Sequence, residues 1–126
     1  MKYTLVIKEN KDFQNAYKRG GYAAGRAVTV YYRKNGKGVR RLGITTGKKA
    51  GNAVQRSRCR RIIRAAFREC EELFPKGFDY IIVARPECAG CKSTQISSFL
   101  RNKAVPAVIR SMQKNTGRNK TLKEHT

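Results

Sequence analysis

The sequence is short of acid. Of its 126 residues only 8 are Asp or Glu, against 29 Lys or Arg, which leaves a formal net charge of +21. Solubility needs no such excess, and self-repulsion on that scale opposes compaction unless a polyanion neutralises it. A nucleic acid is the first candidate for that polyanion and an anionic membrane surface the second. The acids are scattered through Glu9, Asp12, Glu69, Glu71, Glu72, Asp79, Glu87 and Glu124, and His125 is the only histidine. Neither clustered carboxylates for metal-assisted hydrolysis nor a histidine pair for acid and base work is therefore on offer, and the chain is not expected to cleave a substrate unaided. Long apolar runs are absent too. The longest, Tyr80 to Ala84, is strand-sized, far from the roughly 18 residues of a membrane-spanning helix. Met1 to Lys8, short and mixed in character, does not read as a signal peptide. The length leaves room for one ordinary domain.

Cysteine is sparse: Cys59, Cys70, Cys88 and Cys91. The composition otherwise reads as intracellular, so reduced thiols in a cytoplasmic protein are expected rather than disulfides. Only Cys88 and Cys91 have a ligand-like spacing, and a zinc site would need two further ligands from Cys59, Cys70 or His125. Small core residues plus a loop pair are the expected reading, with no metal and no cofactor bound by the protein alone.

The elements follow from periodicity. Asn10 can cap a short helix over about Lys11 to Lys18, which Gly20-Gly21 ends. Arg26 to Lys34 alternates as a strand, with Val28, Val30 and Tyr32 on one side and Thr29 and Tyr31 on the other. Asn35-Gly36-Lys37-Gly38 signals a hairpin into a second strand, Arg40 to Thr46. Gly47 to Gly51 leads into the longest helix, Asn52 to Leu73. Pro75-Lys76-Gly77 breaks it, and Asp79 to Arg85 is apolar on both faces, like a central strand. Ser93 or Thr94 can cap a last helix that Pro106 should kink or divide. Residues 1–113 are expected to form one α+β domain of order αββαβα, and residues 114–126 a basic disordered tail.

From Lys48 to Arg68 eight residues are basic and none is acidic. At about 100° per residue Cys59, Ile62, Ile63, Ala66, Phe67, Cys70 and Leu73 share one arc, the core face. Arg56, Arg60, Arg61, Arg64 and Arg68 lie on the neighbouring arc, with Arg58 nearer the opposite side. A solvated helix face ordinarily mixes signs at i, i+4, and like charges there destabilise the free helix, so this row makes sense when a phosphate backbone neutralises it. Lys48 and Lys49 precede the helix N-terminus, where amides and dipole also favour an anion. The glycine-lysine loop lacks the order of a nucleotide-binding loop, and nucleotide hydrolysis is rejected. Phe13, Tyr17, Tyr31 and Tyr32 are a second constellation, suited either to a core or to stacking on unpaired bases.

Arg41 to Phe67, with Gly43-Ile-Thr-Thr-Gly-Lys-Lys-Ala-Gly-Asn-Ala-Val-Gln-Arg-Ser-Arg-Cys-Arg-Arg61 at its centre, closely resembles the signature of the bacterial ribonuclease P protein component. Asp12-Phe-Gln with Tyr17 and Gly20 is similar to that family's first helix, and Asp79 to Arg85 to its third strand, so the resemblance covers about residues 9–110. It implies a single-domain α-β sandwich with a mixed sheet and a left-handed βαβ crossover, against the usual handedness. It also implies a subunit of a ribonucleoprotein endonuclease that removes the 5′ leader of precursor tRNA, the RNA and its magnesium ions performing the hydrolysis. The implied partners are the catalytic RNA and precursor tRNA, with no membrane and no obligate protein partner. By position, Phe13, Tyr17, Thr29, Tyr31, Thr45, Lys49 and Ser57 match the leader-binding groove, and Lys48, Arg56, Arg58, Arg60, Arg61 and Arg64 the side facing the catalytic RNA. One departure stands out: the family's Arg-Asn-Arg reads Arg56-Ser57-Arg58, which keeps a hydroxyl but loses the amide's paired donor and acceptor. A structural RNA-binding protein of the ribosome is the runner-up reading, ahead of a DNA-binding module and a zinc-dependent binder.

Overall fold

Phe78–Ala84, the most continuously apolar segment, forms the strand about which the fold is arranged, and nearly all of its residues are buried. The computed structural model describes residues 4–113; the tail expected over 114–126 lies outside them. In chain order the elements are β1 (Thr4–Val6), α1 (Asn10–Arg19), β2 (Gly21–Ala24), β3 (Val28–Lys34), β4 (Arg40–Thr45), α2 (Ala53–Cys70), β5 (Phe78–Ala84) and α3 (Ser93–Phe99). The sheet runs β1-β4-β5-β3-β2. β4 is parallel to both β1 and β5, whereas β3 is antiparallel to both β5 and β2. The α+β class, the mixed sheet and a helical crossover, α2, between adjacent parallel strands are as expected.

The expected order αββαβα is short by the two edge strands. β1 and β2 have three and four residues, too few for alternation to register. The hairpin expected at Asn35 to Gly38 is also corrected, because β5 lies between β3 and β4, which do not pair. Gly36 and Gly38 do adopt positive φ, 68° and 70°, as a turn there requires. Asn35 decides where the chain goes, donating from Nδ2 to the Val39 carbonyl at 3.0 Å and to Asp79 of β5 at 2.9 Å. The turn thus opens a slot that β5 fills.

The sheet is covered on both faces. On one, Val28, Val30, Tyr32, Leu42, Tyr80 and Ile82 pack against α2, α3 and the helical stretch that follows α3, through Cys59, Ile63, Ala66, Phe67, Cys70, Ile96, Leu100 and Val108. Leu73, expected on that face, is instead half-exposed on a tighter turn that follows α2, and Ile62 is only partly buried. Cys59, Cys70 and Cys88 are buried free thiols. Burial pushes Cys70 up to about 11, and burial together with the neighbouring Cys59 raises Cys88. Among the described residues no three His, Cys, Asp or Glu side chains gather to hold a metal ion. The opposite face has a smaller core of Ile7, Ala16 and Ile81, which α1 covers only in part.

Both outer helices depart from the expected caps. Asn10 lies inside α1, whose cap is Glu9, and α3 is capped at Lys92, whose N–H donates to Gln95 Oε1 at 2.7 Å. Pro106 does not divide the last helix. A wide turn, Leu100–Ala104, closed by the Val105 N–H on the Leu100 carbonyl, precedes it, and residues 105–113 continue helical. Proline has no N–H and crowds the carbonyl four residues back, here Asn102, and the wider turn absorbs that demand.

Arg41 ties three elements together. It pairs with Asp79 of β5 through Nε at 2.7 Å and Nη2 at 2.6 Å, and Nη2 lies 3.3 Å from Asp12 of α1. Burial alone would raise the Asp79 pKa, but Arg41 and Asn35 outweigh it and hold the carboxyl below its ordinary value. A depressed folded pKa means stabilisation that is complete above the unfolded pKa, about 3.9, and lost as pH falls through the lower folded value. Asp79→Asn is therefore expected to cost about 1.5–3 kcal/mol at neutral pH. Paired denaturant titrations of wild type and variant should show that gap closing below about pH 4; a gap independent of pH would contradict the assignment.

Candidate nucleic-acid interface

α2 begins where the sequence stops tolerating a side chain. Gly51 has φ +118°, and a Cβ there would meet Gln55 Oε1 at 2.1 Å. That oxygen is in use: it accepts the Asn52 N–H while the Gln55 N–H donates to Asn52 Oδ1, both at 2.9 Å. This capping box starts the helix sharply after the single turn Lys48–Ala50, on which Lys48 and Lys49 are exposed. Two amides of the helix start, those of Asn52 and Gln55, are thereby satisfied, so the pull on an anion here comes chiefly from the two lysines.

Along α2, Arg58, Arg61, Arg64 and Arg68 are exposed, whereas Arg56 and Arg60 are half-buried at the border of the core stripe. The described residues form four ion pairs, Lys11 with Glu9, Arg26 with Glu87, and Arg41 with Asp12 and Asp79. None involves the α2 row. Arg56 Nε is buried without a hydrogen-bond partner, a cost that fits a surface completed by something else. Arg60 reaches sideways, donating to Thr46 Oγ1 at 2.7 Å and to Ser57 Oγ at 3.4 Å.

Thr46 is the link to the second constellation. Its neighbour Thr45, at the end of β4, lies close enough to the Tyr17 phenol to influence its titration. Burial holds that phenol above the ordinary tyrosine value, against the lowering influence of Thr45. Tyr17 meets Tyr31 edge to face at 4.9 Å, and Phe13, Tyr17, Tyr31 and Val83 flank the small core. Phe13 lies over Gly43, where a Cβ would come within 2.7 Å of its ring. Thr29 shares the Tyr31 face of β3 and is also half-buried. Tyr32 belongs to the other face and is core.

The residues expected in a groove, Phe13, Tyr17, Thr29, Tyr31 and Thr45, thus lie on one face of the sheet beside α1. Ser57 is joined to them by way of Arg60, and Lys49 stands on the turn beyond Thr46. Arg60, expected to face outward with Lys48, Arg56, Arg58, Arg61 and Arg64, instead sits where the two surfaces meet. Sequence reasoning missed Thr46, Gly43 and Tyr22, whose ring lies 5.9 Å from that of Tyr31. No periodic signal marks a four-residue edge strand, and a glycine's seating of a distant ring leaves no local trace.

A protein-family model described as ribonuclease P matches residues 1–114. The chain belongs to the ribonuclease P protein family. The ribonuclease P protein component of Pelotomaculum thermopropionicum is 36% identical over 100 residues, spanning 79% of this chain and 89% of that one. That of Oceanobacillus iheyensis is 41% identical over 86 residues, 68% of this chain and 71% of the relative. Among solved structures, the ribonuclease P protein of Staphylococcus aureus superposes with a TM-score of 0.70 at 36% identity, over 81% of this chain and 94% of that one. The protein from Thermotoga maritima gives 0.68 at 29% identity, over 76% and 91%. Family membership makes the chain the protein component of a ribonuclease P holoenzyme, acting in tRNA 5′-leader processing with the ribonuclease P RNA as its partner.

If the α2 row meets that RNA through phosphates, reversing the exposed Arg61 and Arg64 to Glu should weaken binding uniformly across sequences. The slope of log affinity against log salt should flatten by roughly one for each phosphate released. Filter binding over a salt series measures it, and an unchanged slope would refute the assignment.

Proposed function

We propose that this protein works as a two-sided adaptor, holding the catalytic RNA along α2 and the 5′ leader of precursor tRNA in the cleft beside α1. In this reading Lys48, Arg56, Arg58, Arg61 and Arg64 contact the catalytic RNA, and Phe13, Tyr17, Thr29, Tyr31, Thr45, Lys49 and Ser57 the leader. Arg60 serves the boundary. The observation that supports it is the run from the Tyr31 and Tyr17 ring pair, by way of the adjacent residues Thr45 and Thr46, to the Arg60 bonds on Thr46 and Ser57, which brings an aromatic, partly open cleft beside an arginine row with no ion-pair partner among the described residues. Unstacked bases suit the rings and phosphates suit the guanidinium forks.

Hydrolysis and its magnesium ions belong to the RNA in this scheme, since the scattered acids of the chain offer no cage for them among the described residues. The protein raises the local grip on precursor over product. Cleavage removes the leader, so a leader cleft discriminates between the two without reading the tRNA body. No protein partner is required, and the place of action is the cytoplasm, where precursor tRNA is processed.

Phe13→Ala should lower holoenzyme affinity for precursor tRNA about 5-fold or more, as removal of one stacking platform does, and leave mature tRNA nearly unaffected. Gly43→Ala, which displaces the same ring without removing it, should act in the same direction. Equal losses for precursor and mature tRNA in equilibrium binding would count against a leader cleft.

A further inference from the structure

The aromatic row does not stop at Tyr31. Tyr22 of β2 pairs across strands with Tyr31 and contacts its ring on the same sheet face as Thr29. It is 64% exposed, a large ring that no core requires. Past Tyr22 the sheet ends, because β2 is an edge strand. Over that edge lies an open concavity of about 430 Å³ whose lining includes Tyr22, Phe99, Arg26, Lys103 and Arg110 and no acidic residue. Its size is that of an ordinary ligand cleft. Arg26 has a loose partner, Glu87 at 3.7 Å, and both are exposed, so that pair contributes little and yields readily. Lys103 and Arg110 are exposed, and neither forms an ion pair among the described residues.

A ring followed by three cations around an edge has the chemistry of a single-strand track, with a stacking platform for a base and point charges for the phosphates after it. The polarity follows from the cleft reading, on which this inference rests. The bond to be cut lies with the catalytic RNA beside α2, so leader nucleotides next to the tRNA body occupy the Thr45 end and those further away reach Tyr31. We infer that the β2 edge carries the leader onward. Tyr22 stacks a base distal to those at Tyr17 and Tyr31, and Arg26, Lys103 and Arg110 hold the phosphates beyond it.

The test uses holoenzyme reconstituted with the catalytic RNA and precursors whose leaders are lengthened one nucleotide at a time. Wild-type affinity should rise with length in steps, and Tyr22→Ala should match wild type on short leaders while binding long ones at least about 5-fold more weakly. Lys103→Glu with Arg110→Glu, which leaves every ring contact in place, should show the same length dependence. On long leaders alone its salt slope should flatten by roughly 0.7 for each phosphate no longer held. If both variants track wild type at every length while Phe13→Ala still fails, the cleft stands and the extension falls. A deficit equal at all lengths, or weaker binding to the catalytic RNA without precursor, would assign the edge to other RNA and overturn the inference. Wild-type affinity that ignores leader length would remove cleft and extension together.

Discussion

The bidentate pair between Arg41 and Asp79 is the contact on which the cleft depends. It spans β4 and β5, parallel neighbours joined only through the long excursion of α2, and so helps to fix their register. The same guanidinium reaches Asp12 and anchors α1 against the sheet. Without that anchor the thin second core of Ile7, Ala16 and Ile81 would be left to position Phe13 and Tyr17 by itself. A half-covered sheet face is a poor design for stability but a good one for binding, and three polar side chains hold the covering helix where the rings are useful.

Charge is distributed to the same end. Three of the few acids sit where they hold structure: Asp12 and Asp79 on Arg41, and Glu71 accepting the Thr4 hydroxyl that ties β1 to the turn after α2. Neither Asp12 nor Asp79 quiets the arginines of α2. Those residues keep an unfavourable mutual repulsion in the free protein, which binding to a polyanion reverses. Arg60 is the exception that explains the layout, since its bonds to Thr46 and Ser57 brace the row against the cleft. The serine at position 57, where the family signature has an amide, is a hydroxyl acceptor for that brace.

What the sequence made legible was whatever repeats along one element. The α2 stripe of Cys59, Ile63, Ala66, Phe67 and Cys70 and the split of β3 into Val28, Val30 and Tyr32 against Thr29 and Tyr31 are periodic, and both stand in the structure. The site residues were placed by resemblance to a family signature rather than by pattern, and the fold brings Phe13, Tyr17 and Tyr31 to one face while Tyr32 enters the core on the other. Relations between distant segments were not legible. The Asn35 to Gly38 turn looks like a hairpin locally, and only Asp79, 44 positions on from Asn35, shows that a third strand must enter the gap. Tyr22 lies on a strand too short to announce itself, and Pro106 signals a break that a single widened turn averts.

On the function proposed above, this chain assists an RNA catalyst rather than acting as one. Cleavage of precursor tRNA by the catalytic RNA at low magnesium, with and without the protein, tests it directly. The protein alone should cleave nothing, and adding it to the RNA should restore cleavage at the 5′ leader junction. Failure to stimulate the RNA, or cleavage by the protein without it, would overturn that division of labour.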